Sequence, residues 1–178
     1  MNSREHIVFG AATSVALAFA VQNPESAIFA HPYIIVGSSV LGSILPDVDK
    51  EDTKAGSFLL PISMLFEKTV GHRTVTHDLL IMLPLFIVSL FCGNPIFFGI
   101  MFGILSHLYL DSLTTRGIPV GSLIWKEKGY FKEKVPKYYI HTTLPFLTVR
   151  SGSTASVLVT YALSTVIIFA TNYFRPLW

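Results

Sequence analysis

Five long apolar runs make a bundle of membrane helices the simplest fold for this chain. They cover residues 7–21, 27–45, 79–92, 95–110 and 155–171. Each is near or slightly under the roughly 20 residues a helix needs to cross the hydrocarbon core of a bilayer. Charged residues make up only 13% of the 178 residues while 51% are hydrophobic. A soluble domain carries about 25% charged residues, so the apolar excess points to spans rather than to one oversized soluble core. The third and fourth runs are short, which implies local thinning of the bilayer or polar flanks at the helix ends. Asn94 and Pro95 join those two tightly, making them antiparallel neighbours, and Asn23 and Pro24 begin a similarly short join between the first two. The expected fold is therefore all-α: one membrane-embedded domain over residues 1–178 with four or five spans.

The longer connections are 46–78 and 111–154. Within the first, residues 58–70 are apolar on one side and too short to span, so an interfacial placement is expected. Within the second, residues 125–141 mix Lys126, Lys128, Lys132, Lys134 and Lys137 with Trp125, Tyr130, Phe131, Tyr138 and Tyr139. Basic and aromatic residues of this kind serve nucleic-acid platforms. Beside a bilayer they more commonly touch anionic headgroups, so the partners expected are membrane lipids and not nucleic acid. The single cysteine, Cys92, excludes an internal disulfide and a thiolate metal site. Arg4 followed by an apolar run ending in Ala18-Phe19-Ala20 resembles a secretory signal. Glu5 and His6 make a poor positive leader, so an uncleaved first helix is expected.

Threaded up and down, the chain places its amino terminus and both long connections on one face. Twelve of the thirteen Lys and Arg residues fall there and only Arg175 falls on the other. Positive charge concentrates on the cytoplasmic side of membrane proteins, so the loaded face is expected to be cytoplasmic and the location the plasma (inner) membrane.

Histidines and acids collect on that same face. His6 opens the first helix, and Asp47 and Asp49 close the second in Leu45-Pro46-Asp47-Val48-Asp49. His72 and His77 precede the third in Gly71-His72-Arg73-Thr74-Val75-Thr76-His77, and His107 and Asp111 close the fourth. His107 and Asp111 are four residues apart and share one side of a helix. Extended backward, that row reads Gly99, Gly103, His107, Asp111. Small residues let a neighbouring helix approach closely, so the pair should point into the bundle. Ionisable residues facing the interior of a membrane bundle mark functional sites by default. Imidazole with carboxylate suits zinc or another divalent first-row metal, manganese included. More candidate ligands than one ion needs implies two or more ions. The expected ligands are His6, Asp47, His72, His107 and Asp111. Asp49 and His77 are expected to orient a ligand or act as general base. Arg73 is either an anion clamp or a positive flank of the span. Thr76 is expected to cap the third helix, and His31 and His141 are expected to stay outside the site.

This series of motifs resembles the YdjM-like family, bacterial inner-membrane proteins described as LexA-regulated metal-dependent hydrolases. The resemblance runs over roughly residues 1–125 and implies the same localisation, a metal cofactor and expression in the SOS response. Asp78 departs from it, standing where a small hydroxyl residue is expected. The family is distantly similar to zinc-dependent phospholipase C, all-helical enzymes with a trinuclear zinc site and a His-x-x-x-Asp element to which His107 and Asp111 would correspond. That superfamily has a second, late His-x-x-x-Glu element. This chain lacks it, because His141 is followed by Pro145, so two ions are expected rather than three.

Three functions follow in order of preference. The first is a membrane-bound hydrolase of phosphoesters such as a phospholipid or lipid-linked phosphate. The second is a non-catalytic membrane protein whose metal ties helix ends together. The third is a metal transporter, disfavoured because its ligands would lie near the bilayer midplane.

Overall fold

The computed structural model describes residues 1–21, 23–49, 75–121, 139–140 and 148–173. Five helices account for most of them: α1 (Ser3–Ala20), α2 (Pro32–Gly42), α3 (Leu79–Phe91), α4 (Pro95–Ser112) and α5 (Thr154–Tyr173). Two 3-10 turns, Leu45–Asp49 and Val75–His77, extend α2 and precede α3. Expected features at residues 58–70, His72, Arg73, 125–138 and His141 lie outside the described residues.

Local chemistry sets the helix bounds. Asn2 caps α1 in a reciprocal capping box, its side chain accepting from the Glu5 amide while the Glu5 carboxylate accepts from the Asn2 amide. The second apolar run becomes helical only at Pro32. Proline disfavours the helical region for the residue before it and suits the first helical position itself, so 27–31 form turns instead. Asp78 caps α3, accepting from the Leu80 amide at 2.9 Å. Asn94 caps α4 through the Ile96 and Phe97 amides, with Pro95 at the first helical position.

α4 is the central helix, packed against α1, α2 and α3, while α5 lies on α1. The α2–α4 contact is close enough to require glycine. A Cβ on Gly103 would lie 2.1 Å from the Ser39 carbonyl oxygen, and one on Gly99 would lie 1.9 Å from Ser38 Oγ. On the α2 side, a Cβ on Gly42 would meet the Ile100 carbonyl oxygen at 2.1 Å. Ile28, Ile35 and Phe98 fill one end of this interface, with Phe29 and Phe102 against them. Met1, Phe9, Leu110 and Leu113 form a second cluster that α5 covers with Val159, Leu163 and Ile167.

The fold is mostly helical, as expected, with one small departure. Ile118–Pro119 pairs antiparallel with Tyr139–Ile140, and Thr114 bridges Val149. The turn at 114–117 thereby ties the end of α4 to the chain entering α5. Two of the expected spans, α4 and α5, are by length and composition long and apolar enough to cross a membrane. At 13 residues, α3 is about 20 Å long, short of the roughly 30 Å hydrocarbon core. Both α3 and α5 present large apolar side chains outward, among them Leu83, Ile87 and Phe91 on α3 and Leu158, Val166 and Phe169 on α5. A soluble monomer rarely exposes apolar patches of that extent.

Candidate metal centre

The row Gly99, Gly103, His107, Asp111 faces the bundle interior. Its glycines admit α2, and its last two residues are fully buried. His107 Nδ1 lies 2.8 Å from the Ser43 carbonyl oxygen just past the end of α2. A carbonyl only accepts, so Nδ1 carries the proton and Nε2 keeps its lone pair. That lone pair points at the other donors. His77 Nε2 is 3.2 Å away, Asp111 Oδ2 3.8 Å and Asp47 Oδ1 3.9 Å. His77 Nε2 is also 3.7 Å from Asp111 Oδ2. His6 brings its Nε2 to 3.5 Å from Asp111 Oδ1, with its ring stacked on that of His107 at 3.5 Å between centroids.

Four parts of the chain therefore meet at one point: the first turn of α1, the turn after α2, the turn before α3 and the last turns of α4. Every donor lies at or near a helix end. His6, Asp47, His77, His107 and Asp111 are all buried, and the Asp47 side chain is the most exposed of them, at 10%. Asp47 thus marks the edge of the cluster.

These donors fit a divalent cation. Zinc–nitrogen bonds of about 2.0–2.1 Å in a tetrahedron place ligand atoms about 3.3–3.4 Å apart, and the separations here run from 3.2 to 3.9 Å. Two groupings satisfy the distances, His6 with His107 and Asp111, and Asp47 with His77 and His107. They share His107, whose Nδ1 is engaged by Ser43, so one ion can use its Nε2 at a time. His6 adds a second sign of fit: both its ring nitrogens are buried without a hydrogen bond. A buried polar group left so costs on the order of 1–3 kcal/mol, a cost that coordination removes.

Outer contacts orient the inner atoms. Thr76 Oγ1 sits 3.0 Å from His77 Nδ1, and the Ser3 hydroxyl donates to Asp47 Oδ2 at 3.3 Å. The amino group of Met1 donates to Asp111 Oδ1. Such partners fix ring orientation and ligand basicity. Thr76, expected as a helix cap, has this role instead, because α3 starts at Leu79 and the residue before it, Asp78, takes the cap. Asp78 Oδ1 also accepts from the Gly121 amide at 2.9 Å, tethering the start of α3 to the bend just after Ile118–Pro119.

Of the expected ligands, His6, Asp47, His107 and Asp111 come together, and His72 lies outside the described residues together with Arg73. His77, expected beside the ligands, has its Nε2 among the inward donor atoms. Asp49 belongs to the same 3-10 turn as Asp47. His31 stands at the start of α2, at the opposite end of that helix from Asp47. Sequence reasoning missed Glu5, which is buried and accepts from Ser156 Oγ at 3.2 Å. The Asn2-x-x-Glu5 spacing was its readable signal. The Ser43 carbonyl and Ser3 hydroxyl carry no comparable signal.

Comparison with known proteins agrees with the motifs. A family described as YdjM inner membrane protein matches residues 1–177, so the likeness extends through α5 and past the first 125 residues. The Bacillus subtilis (strain 168) protein YvsG is 32% identical over 120 residues, covering 66% of this chain and 71% of the relative. The inner membrane protein YdjM of Escherichia coli (strain K12) is 30% identical over 142 residues, covering 74% of this chain and 69% of the relative. That of Shigella flexneri matches to the same extent. No solved structure matches, and a relation to phospholipase C is not among these findings.

Proposed function

Because the chain belongs to the YdjM inner membrane protein family, we propose that it is a membrane-bound, metal-dependent hydrolase of phosphoesters. The observation that carries this reading is the buried convergence of His6, Asp47, His77, His107 and Asp111 from four separate parts of the chain. When bound, a divalent metal would lower the pKa of a water molecule and stabilise charge developing on a phosphoryl oxygen. The protein's own part is positioning. Ser43 and Thr76 hold the His107 and His77 rings with Nε2 inward, and Ser3 holds Asp47 at the edge where substrate would arrive. Burial keeps bulk water from the other four donors.

We place the spans, four or five in number, so that the cluster faces the cytoplasm, on the strength of the Lys and Arg distribution. A centre at helix ends beside a lipid surface makes a phospholipid or lipid-linked phosphate the natural substrate. Zinc is the proposed metal, with manganese the alternative. His72 would complete a second ion, Arg73 would clamp the phosphate, and Asp49 would act as general base.

The burial of four donors also favours a second reading, a closed structural metal that ties helix ends together. One experiment addresses both. Metal content of detergent-purified protein is measured by inductively coupled plasma mass spectrometry, for wild type and His107→Ala with Asp111→Ala. Phosphoester and phospholipid hydrolysis is then assayed. Metal lost in the double variant together with its turnover supports the hydrolase. Metal without turnover on any phosphoester supports the structural role. A wild type that binds neither zinc nor manganese refutes both.

A further inference from the structure

The donors of the centre are not held alike. His107 is fixed from behind by the Ser43 carbonyl, His77 by Thr76 and Asp47 by Ser3, and Asp111 accepts from Met1. His6 has no such support: among the described residues neither ring nitrogen makes a hydrogen bond, although the side chain is buried. Its Nε2 stands 3.5 Å from Asp111 Oδ1, too far for a hydrogen bond. What holds the ring is its face, which lies on His107 with an interplanar angle of 12°. A nitrogen lone pair lies in the plane of its ring, so these near-parallel rings do not aim at one point, and His6 reaches an ion held by His107 only by tilting off that face. A ligating histidine ordinarily donates its other N–H to a partner that fixes its orientation and raises its basicity, and loss of that partner weakens binding about 10–100-fold.

We infer that His6 is the exchangeable ligand of the centre: a small nitrogen or oxygen donor displaces it, while Asp47, His77, His107 and Asp111 retain the ion. The inference rests on the metal-binding reading above. It gives a buried site a way to admit a ligand without dismantling itself. The position that opens lies on the α1 side, against the stacked face of His107.

Cobalt(II) titration of the full chain in detergent tests this, because the visible spectrum of cobalt reports ligand number and type. The proteins are wild type, His6→Ala and His107→Ala, each with and without added imidazole. In contrast to His107→Ala, His6→Ala should still bind cobalt. Its spectrum should shift with the loss of one nitrogen and return towards that of wild type as imidazole is added. His107→Ala should not bind cobalt. Should His6→Ala fail to fold, as judged by circular dichroism, His6→Asn replaces it and the same spectrum is read. Loss of cobalt from the His6 variant as complete as from His107→Ala overturns the inference and leaves the metal reading standing. Retention with an unchanged spectrum also overturns it. A wild type that binds no cobalt overturns the metal reading and the inference together.

Discussion

Adding one methyl group at Gly103 should disable the centre without touching a ligand. Its Cβ would lie 2.1 Å from the Ser39 carbonyl oxygen, 2.7 Å from the Ser43 nitrogen and 2.9 Å from the Gly42 carbonyl carbon. All three are backbone atoms, so no side chain can rotate away. Carbon contacts are comfortable at about 3.5 Å, and α2 must therefore retreat from α4 by about 1 Å or more. Overpacking of this kind costs about 1–3 kcal/mol. The retreat carries the Ser43 carbonyl with it, and its 2.8 Å contact to His107 Nδ1 lengthens to about 3.8 Å, beyond a hydrogen bond. Losing that partner should weaken metal binding about 10–100-fold. Gly37→Ala on α2 is the control: nothing lies within 4 Å of its Cβ, and alanine is favoured over glycine in a helix by about 1 kcal/mol. Thermal unfolding in detergent and metal titration should then separate the two variants, with Gly103→Ala lower in both and Gly37→Ala equal to wild type or better. A Gly103→Ala protein that melts and binds metal as wild type does would refute the close α2–α4 approach and the role given to Ser43.

Three further outcomes are expected. Thr76→Val keeps the shape of the side chain and removes the hydroxyl beside His77 Nδ1, so metal affinity should fall about 10–100-fold with little change in the melting midpoint. Asp78→Ala removes the cap of α3 and the tether to Gly121. It should destabilise by about 0.5–2 kcal/mol for the cap alone, read as a lower melting midpoint, whereas Asp78→Asn, which keeps an acceptor oxygen, should recover most of that loss. Chelation should lower the wild-type midpoint, because a metal at 100 times its Kd contributes about 2.7 kcal/mol. That is about 5–11 °C at about 2–4 °C per kcal/mol for a chain of this size, and His107→Ala should not respond.

The part of the site on α4 was legible because a helix converts spacing into direction. Gly99, Gly103, His107 and Asp111 stand four residues apart, so one row had to carry both the close approach and the donors. The glycine contacts and the burial of the pair follow from that row. Helix ends were legible where their chemistry is local, as at Asn94-Pro95. They were misread where two rules competed. The apolar run suggested a helix from residue 27, but Pro32 restricts His31 and delays α2 to Pro32.

What stayed hidden depends on groups with no residue-specific signature. The Ser43 carbonyl orients His107 through a main-chain oxygen that every residue possesses. Only the packing of Gly42 against Ile100 and of Gly103 against Ser39 brings that oxygen within reach. The position of His77 was hidden for a related reason. Its motif places it next to α3, but whether it stands beside the ligands or behind them depends on where the 3-10 turn Val75–His77 aims its ring. Thr76 and Asp78 set that aim together, one on the ring and one on the helix that follows. Asp78, next to His77, departs from the family pattern. In the fold its Oδ1 accepts from the Leu80 and Gly121 amides, which fixes the start of α3 beside His77.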